Sequence, residues 1–299
     1  MITHPPPTLD AVARASGGLA MVAMDQRESL RTMFDDAGAG RVPDPRLVEF
    51  KLAVAQVLGP LASGFLIDRH YGFEAVRDGD YLPPSTGLIL AADALEQADG
   101  GPVEETSLDD AVVAPELDLT GVAAIKLLVI WRRDERREQR VVLARDFVAA
   151  ATRLGVLSVL EPVVRATPDE LAAGTWDADA AIQEAAAELS VLGQDLYKVQ
   201  VPRAGRGTPA QLREACEALA RVVTGPWVVL SQGVDREDYL GAVTAACRAG
   251  ASGFLAGRAL WSDVVGAPDV RARLHEVSVP RVERLVETVD RYARPWSEA

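Results

Sequence analysis

Eight short apolar runs, separated by longer amphipathic stretches, constrain this chain more than any other feature. They are LAMVAMD ending at Asp25, GFLIDR ending at Arg69, GLILAAD ending at Asp93 and IKLLVIW from Ile125 to Trp131. VLSVLEPVV from Val156 to Val164, LYKVQV from Leu196 to Val201, WVVLSQGV starting at Trp227 and GFLAGRALW ending at Trp261 complete the set. Near-continuous apolar character is what a parallel strand buried on both faces requires. No strong two-residue turn signal joins consecutive runs into a hairpin.

The segments between the later runs read as helices. Val141, Ala144, Val148 and Ala151 keep a three-four spacing between Asp134 and Arg153. Thr208, Pro209 and Gln211 form a helix start, with a capping hydroxyl, a proline in the first turn and a reciprocal amide. Leu212, Cys216, Leu219 and Val223 then share one face, Asp235 is positioned to cap the next helix, and Gly250 to end it. A last helix is expected near Pro280, with Val282, Leu285, Val286 and Val289 on its apolar side. Alternating strands and helices imply right-handed crossovers, and eight such units imply closure. The predicted fold is therefore α/β, a single-domain (β/α)8 TIM barrel over residues 1–299; a doubly wound open sheet is the alternative. The PPP tract near the start reads as a stiff leader, and Gly100 to Thr120 as a loop with a short extra element between the third and fourth strands.

A net charge of −13 argues against a basic nucleic-acid face, yet leaves room for a locally positive pocket. The two cysteines, Cys216 and Cys247, have no metal-ligand spacing and suggest no disulfide framework. The three histidines, His4, His70 and His275, are scattered, so no metal is expected. No G-x-G-x-x-G follows a strand, so no nicotinamide site and no other cofactor is expected. Neither a signal peptide nor a bilayer-spanning run is evident, and the expected location is cytoplasmic.

In a barrel of this kind, polar residues at the strand ends carry the chemistry. Here these are Asp25, Asp93, Lys126, Glu161, Lys198 and Arg258, each of which could alternatively serve only in a buried ion pair. Strand alternation puts Leu196, Lys198 and Gln200 on one face and Tyr197, Val199 and Val201 on the other. An inward lysine can attack a ketone if desolvation and a neighbouring cation lower its pKa. Lys126 could supply that cation, or could itself be the nucleophile. Glu161 could move a proton, and Asp25 could orient the lysines or cap a loop. Ser231 and Gly233 end the seventh run, and Gly257 and Arg258 lie in the eighth. Barrels frequently bind phosphate between these two loops, although the glycines could equally mark tight turns.

Taken together, AMDQRESL, IKLLVIWRRDE, LEPVVR, DLYKVQVP, LSQGVD and GASGFLAGRALWSDVVG resemble the bacterial class I aldolases related to tagatose 1,6-bisphosphate aldolase. The stretch from Ala13 to Phe34 and the WRRDE stretch most resemble the branch that cleaves 6-deoxy-6-sulfofructose 1-phosphate. This resemblance implies that Lys198 is the Schiff-base lysine, Glu161 the proton-transfer group, and Lys126 and Asp25 pocket residues. It implies substrate contacts from Gln26, Ser231, Gly233, Gly257 and Arg258. The expected reaction releases dihydroxyacetone phosphate and 3-sulfolactaldehyde, or glyceraldehyde 3-phosphate from tagatose 1,6-bisphosphate. A non-catalytic barrel that senses sugar phosphates is the reading from another class, and a metal-dependent isomerase or epimerase is disfavoured by the histidines. The expected partners are a small phosphorylated sugar and further copies of the chain in a homo-oligomer, with no nucleic acid and no membrane. One departure from the resemblance is Gln200, where the family commonly has glutamate.

Overall fold

The computed structural model describes residues 7–98 and 101–299. The leader, with His4, Pro5 and Pro6, lies largely outside them. The strands are β1 (Leu19–Met24), β2 (Gly64–Ile67), β3 (Gly87–Ala91), β4 (Asp93–Gln97), β5 (Val103–Leu108), β6 (Val122–Trp131), β7 (Leu157–Val164), β8 (Leu196–Val199), β9 (Trp227–Val229) and β10 (Gly253–Ala256). Eight of them close into a barrel in the order β1, β2, β3, β6, β7, β8, β9, β10 and back to β1. Every pairing around that ring is parallel. The eight apolar runs are the eight barrel strands, and the chain is a single-domain (β/α)8 barrel.

Alternation along the strands divides the core in two. Leu19, Met21, Leu66, Ile89, Ala124, Leu157, Val159, Leu196, Val228 and Leu255 fill the barrel interior. Ile125, Leu127, Val129, Trp131, Leu160, Tyr197 and Val199 join the larger cluster beneath the helices. Lys126, Glu161 and Lys198 have the parity of the first set, so their side chains rise inside the barrel. A short 3-10 turn, Leu9–Val12, adds Leu9 and Val12 to the interior cluster. Gly87 is required by that seal, because a Cβ there would sit 2.1 Å from the carbonyl oxygen of Ala11.

The helices are α1 (Glu28–Phe34), α2 (Asp44–Leu58), α3 (Phe73–Asp78), α4 (Asp110–Val113), α5 (Arg137–Leu154), α6 (Pro168–Ala173), α7 (Ala178–Leu189), α8 (Pro209–Ala220), α9 (Tyr239–Arg248), α10 (Arg258–Trp261), α11 (Val270–Arg273) and α12 (Val279–Tyr292). The Thr208–Gln211 capping box opens α8. On α5 the buried face is centred on Ala144, Phe147 and Ala151, while Val141 and Val148 pack at its flank. On α12, Val282, Leu285 and Val289 are buried. Asp235 does not cap α9: the chain first makes a turn, and the helix begins after Asp238. Two strand boundaries also shift. Asp93 opens β4 instead of ending β3, and the eighth strand stops at Ala256 so that Arg258–Trp261 is a helical turn. The extra element between the third and fourth barrel strands is the antiparallel hairpin β4–β5 followed by α4. None of the helices among the described residues is long and apolar enough to cross a membrane.

Candidate active site

The C-terminal ends of the barrel strands open onto a cavity of about 390 Å³. Asp25, Gln26, Lys126, Glu161, Lys198, Ser231, Gly257 and Arg258 all line it. Of the residues expected from sequence to act in catalysis or touch substrate, Gly233 alone is not in the wall; its neighbour Gln232 is. Gly257 is glycine because of a close approach: a Cβ there would lie 2.6 Å from the carbonyl oxygen of Ala23 on β1. That approach brings the turn after β10 against Gln26.

At the floor, Lys126 on β6 is surrounded by carboxylates. Its Nζ lies 2.6 Å from Asp25 Oδ2, 2.8 Å from Asp93 Oδ2 and 3.1 Å from Glu161 Oε2. Burial disfavours the ammonium, but these three anions outweigh it and hold its pKa well above the ordinary lysine value. Burial likewise pushes Asp25 up, yet the charges of Lys126, Lys198 and Arg27 overcome it and leave that carboxyl below the usual range. Lys126 is thus a fixed cation. Its ammonium is saturated by partners and has no free electron pair to offer.

Lys198 on β8 is placed differently. Among the described residues its Nζ makes one ion pair, 2.8 Å to Glu161 Oε1, and it is almost fully buried. Glu161 on β7 therefore bridges the two lysines. Its Oε2 is buried and accepts no well-formed hydrogen bond, despite the nearby ammonium of Lys126. The Gln26 Oε1 is buried and unpartnered in the same way. Buried acceptors left open at a cavity wall are costly unless something else binds there.

A second layer of charge holds this floor from outside. Arg27 Nη2 donates to the Asp93 carboxylate at 3.0 Å and to its carbonyl oxygen at 2.8 Å. Arg27 Nε also lies 4.0 Å from Asp68, which pairs with the fully buried Lys51 of α2. Sequence reasoning missed Arg27, Lys51 and Asp68 as a unit. It also gave no role to Arg165, which follows β7 within the LEPVVR motif and lines the cavity.

Arg258 has no ion pair among the described residues. Burial lowers its pKa from the usual arginine value, and Asp25 and Glu161 partly offset this. Gln200 lies outside the cavity wall, and its Oε1 accepts a hydrogen bond from the Val164 backbone N–H at 2.7 Å. The amide ties the end of β8 to the end of β7, a task for which glutamine has the needed acceptor. Among the described residues no group of three or more His, Cys, Asp or Glu side chains is arranged to hold a metal ion.

Comparison with known proteins places this geometry in context. A family model described as DeoC/LacD family aldolase matches residues 19–263. The tagatose 1,6-diphosphate aldolase of Listeria monocytogenes serotype 4b (strain CLIP80459) is 24% identical, over 96% of this chain and 92% of that protein. Tagatose 1,6-diphosphate aldolase 2 of Streptococcus pyogenes serotype M3 (strain ATCC BAA-595 / MGAS315) is also 24% identical, over 94% of each. The fold is similar to that of fructose-bisphosphate aldolase from Plasmodium falciparum, with a TM-score of 0.69 at 15% identity, covering 95% of this chain and 93% of that one. It is also similar to an archaeal fructose-1,6-bisphosphate aldolase solved with its catalytic lysine bound to a carbinolamine intermediate. There the TM-score is 0.57 at 15% identity, covering 94% of this chain and 98% of that one. With the family matched across most of its length, the chain belongs to the DeoC/LacD family of aldolases and is a metal-independent class I aldolase.

Proposed function

We propose that Lys198 is the Schiff-base nucleophile and that the substrate is a ketohexose 1-phosphate with a second anionic group at C6. The observation that carries this reading is the contrast between the two lysines. Lys126 is neutralised by three carboxylates, whereas Lys198 faces the cavity and among the described residues is ion-paired with Glu161 alone. A proton passed from Lys198 to Glu161 leaves a free amine to attack the C2 carbonyl. Glu161 returns that proton to the carbinolamine hydroxyl, which leaves as water, giving the iminium and restoring the carboxylate. Breaking C3–C4 then sends its electron pair into that iminium, forming an enamine, while Glu161 takes the C4 hydroxyl proton. The aldehyde leaves, the enamine is protonated at C3, and hydrolysis releases dihydroxyacetone phosphate and the lysine. Lys126 and Asp25 fix the charge around Glu161, and Gln26 offers its open acceptor to a substrate hydroxyl. Ser231, Gln232, the Gly257 backbone and Arg258 supply donors for the C1 phosphate, with Gly233 allowing the turn after β9 through its positive φ of 81°.

Two identities for the C6 group are supported by different observations. The curated relatives point to tagatose 1,6-bisphosphate, with glyceraldehyde 3-phosphate as the second product. The stretch from Ala13 to Phe34 and the WRRDE motif point to 6-deoxy-6-sulfofructose 1-phosphate, with 3-sulfolactaldehyde as the second product. The test is to incubate the protein with dihydroxyacetone phosphate, reduce with borohydride and map the adduct, then compare cleavage of both sugars with excess EDTA present. The expected outcome is an adduct on Lys198, absent from Lys198→Met, and EDTA-resistant cleavage of at least one sugar. An adduct on Lys126 overturns the nucleophile assignment. No adduct and no cleavage would favour a barrel that only senses sugar phosphates.

A further inference from the structure

Among the described residues, two cavity cations lack a carboxylate partner. Lys126 and Lys198 are ion-paired with Asp25, Asp93 and Glu161, and Arg27 with Asp93. Arg165 and Arg258 line the same wall with no ion pair among the described residues. The charge of Arg165 is felt at Arg258 and lowers its pKa, so an anionic substrate relieves both. Arg258 stands beside the turns after β9 and β10, whereas Arg165 follows β7 and also borders the neighbouring surface groove with Arg132 and Thr167.

Arg165 is half-buried at the cavity wall. Its Nε is buried and has no acceptor among the described residues. Burial lowers its pKa from the usual arginine value; the charge of Glu104 offsets this in part, and that of Arg132 adds to it to a smaller extent. Arg132 itself is neutralised by Glu104 and lies 3.6 Å from Glu105. A buried donor left unsatisfied is costly, and the cost is relieved when an anion arrives. Arg165 sits on the rim, one residue beyond the strand that carries Glu161, and β8 separates that strand from β9 in the barrel.

Resting on the aldolase reading above, we infer that Arg165 is the receptor for the anionic group at the far end of the substrate, and hence the residue that selects anionic aldehydes. The planar guanidinium suits either a phosphate or a sulfonate through paired N–H donors. In the aldol direction this divides the labour. The Arg258 side holds dihydroxyacetone phosphate, and Arg165 recruits the acceptor aldehyde by its charge.

The experiment uses the full chain in the condensation direction, with dihydroxyacetone phosphate fixed and three acceptors varied: glyceraldehyde 3-phosphate, 3-sulfolactaldehyde and uncharged glyceraldehyde. For Arg165→Ala, kcat/KM is expected to fall on the order of 100-fold with the preferred anionic aldehyde, as for loss of one desolvated charge pair. With glyceraldehyde it should be unchanged, as should borohydride trapping of dihydroxyacetone phosphate on Lys198. Arg165→Lys should recover part of the loss, because it keeps the charge without the fork. Equal losses with charged and uncharged acceptors, or impaired trapping, would assign Arg165 to the framework and overturn the inference. So would an unchanged preference for anionic aldehydes. Failure of wild-type protein to trap dihydroxyacetone phosphate rejects the underlying aldolase reading instead, and is read before any variant is made.

Discussion

Lys126 carries more electrostatic responsibility than any other side chain in the cavity. Asp25, Asp93 and Glu161 converge on its Nζ, and all three are buried or nearly so. Lys126→Met keeps much of the volume and removes the charge, which leaves three carboxylates facing one another in a low-dielectric floor. Breaking a buried pair in this way costs about 3–5 kcal/mol. Urea unfolding at neutral pH should show that loss, and Lys126→Arg should recover part of it. The pH dependence has a definite sign. The folded Asp25 carboxyl lies below its unfolded value, so its stabilisation is present above the ordinary carboxylate pKa and is lost as pH falls through the folded one. In Lys126→Met that advantage disappears, and the acid-unfolding midpoint should move upward. The members of this cluster were legible in the sequence because a charge in an apolar strand is conspicuous. Lys51 was not legible. It lies in α2, where a lysine in a helix reads as a surface residue, and its partner Asp68 lies across the fold at the end of β2.

At the scale of elements, the hairpin β4–β5 is what distinguishes this barrel's mouth. Leu95 and Gln97 from one arm and Val103 from the other form part of the cavity wall. Glu105 anchors the second arm by pairing with Arg140 at 2.6 Å, Arg136 at 3.4 Å and Arg132 at 3.6 Å. Glu105→Ala should therefore loosen the wall without touching the lysines. Loss of its charged hydrogen bonds should cost about 2 kcal/mol. The expected kinetic signature is a raised KM with kcat largely kept, measured on whichever sugar is cleaved. A fall in kcat with unchanged KM would show that the hairpin has another task. Periodicity could not find this hairpin, because ALEQ and VEETSL are polar and half-exposed and lack the apolar signature that identified the barrel strands. The same limit explains the eighth strand. GFLAGRALW is apolar almost throughout, and a four-residue helical turn is too short to show its own period. The strand count survived both errors, since parallel strands buried on two faces must be apolar from end to end.

For the molecule as a whole, the two cysteines offer a readout of how tightly the helical layer is held to the barrel. Cys216 on α8 and Cys247 on α9 are buried among neighbouring helices, and neither forms a disulfide. Burial pushes each thiol up from its ordinary value of 9.0 to about 12. Folding therefore favours the protonated thiols. The stability they contribute is complete below the unfolded value near 9.0 and declines as pH rises toward about 12. Tyr197 and Tyr239, also raised by burial, act in the same direction. The protein should consequently lose thermal stability steadily above pH 9, and replacing both cysteines with alanine should flatten that decline. Because the thiolate is the reactive form, a disulfide reagent at pH 8 should modify neither residue while α8 and α9 remain packed. Modification should require opening of the helical layer and should slow in parallel with urea stability when conditions are made more favourable. Rapid labelling of either cysteine in fully active protein would mean that this layer opens independently of the barrel, so that its packing contributes little to holding the cavity in shape.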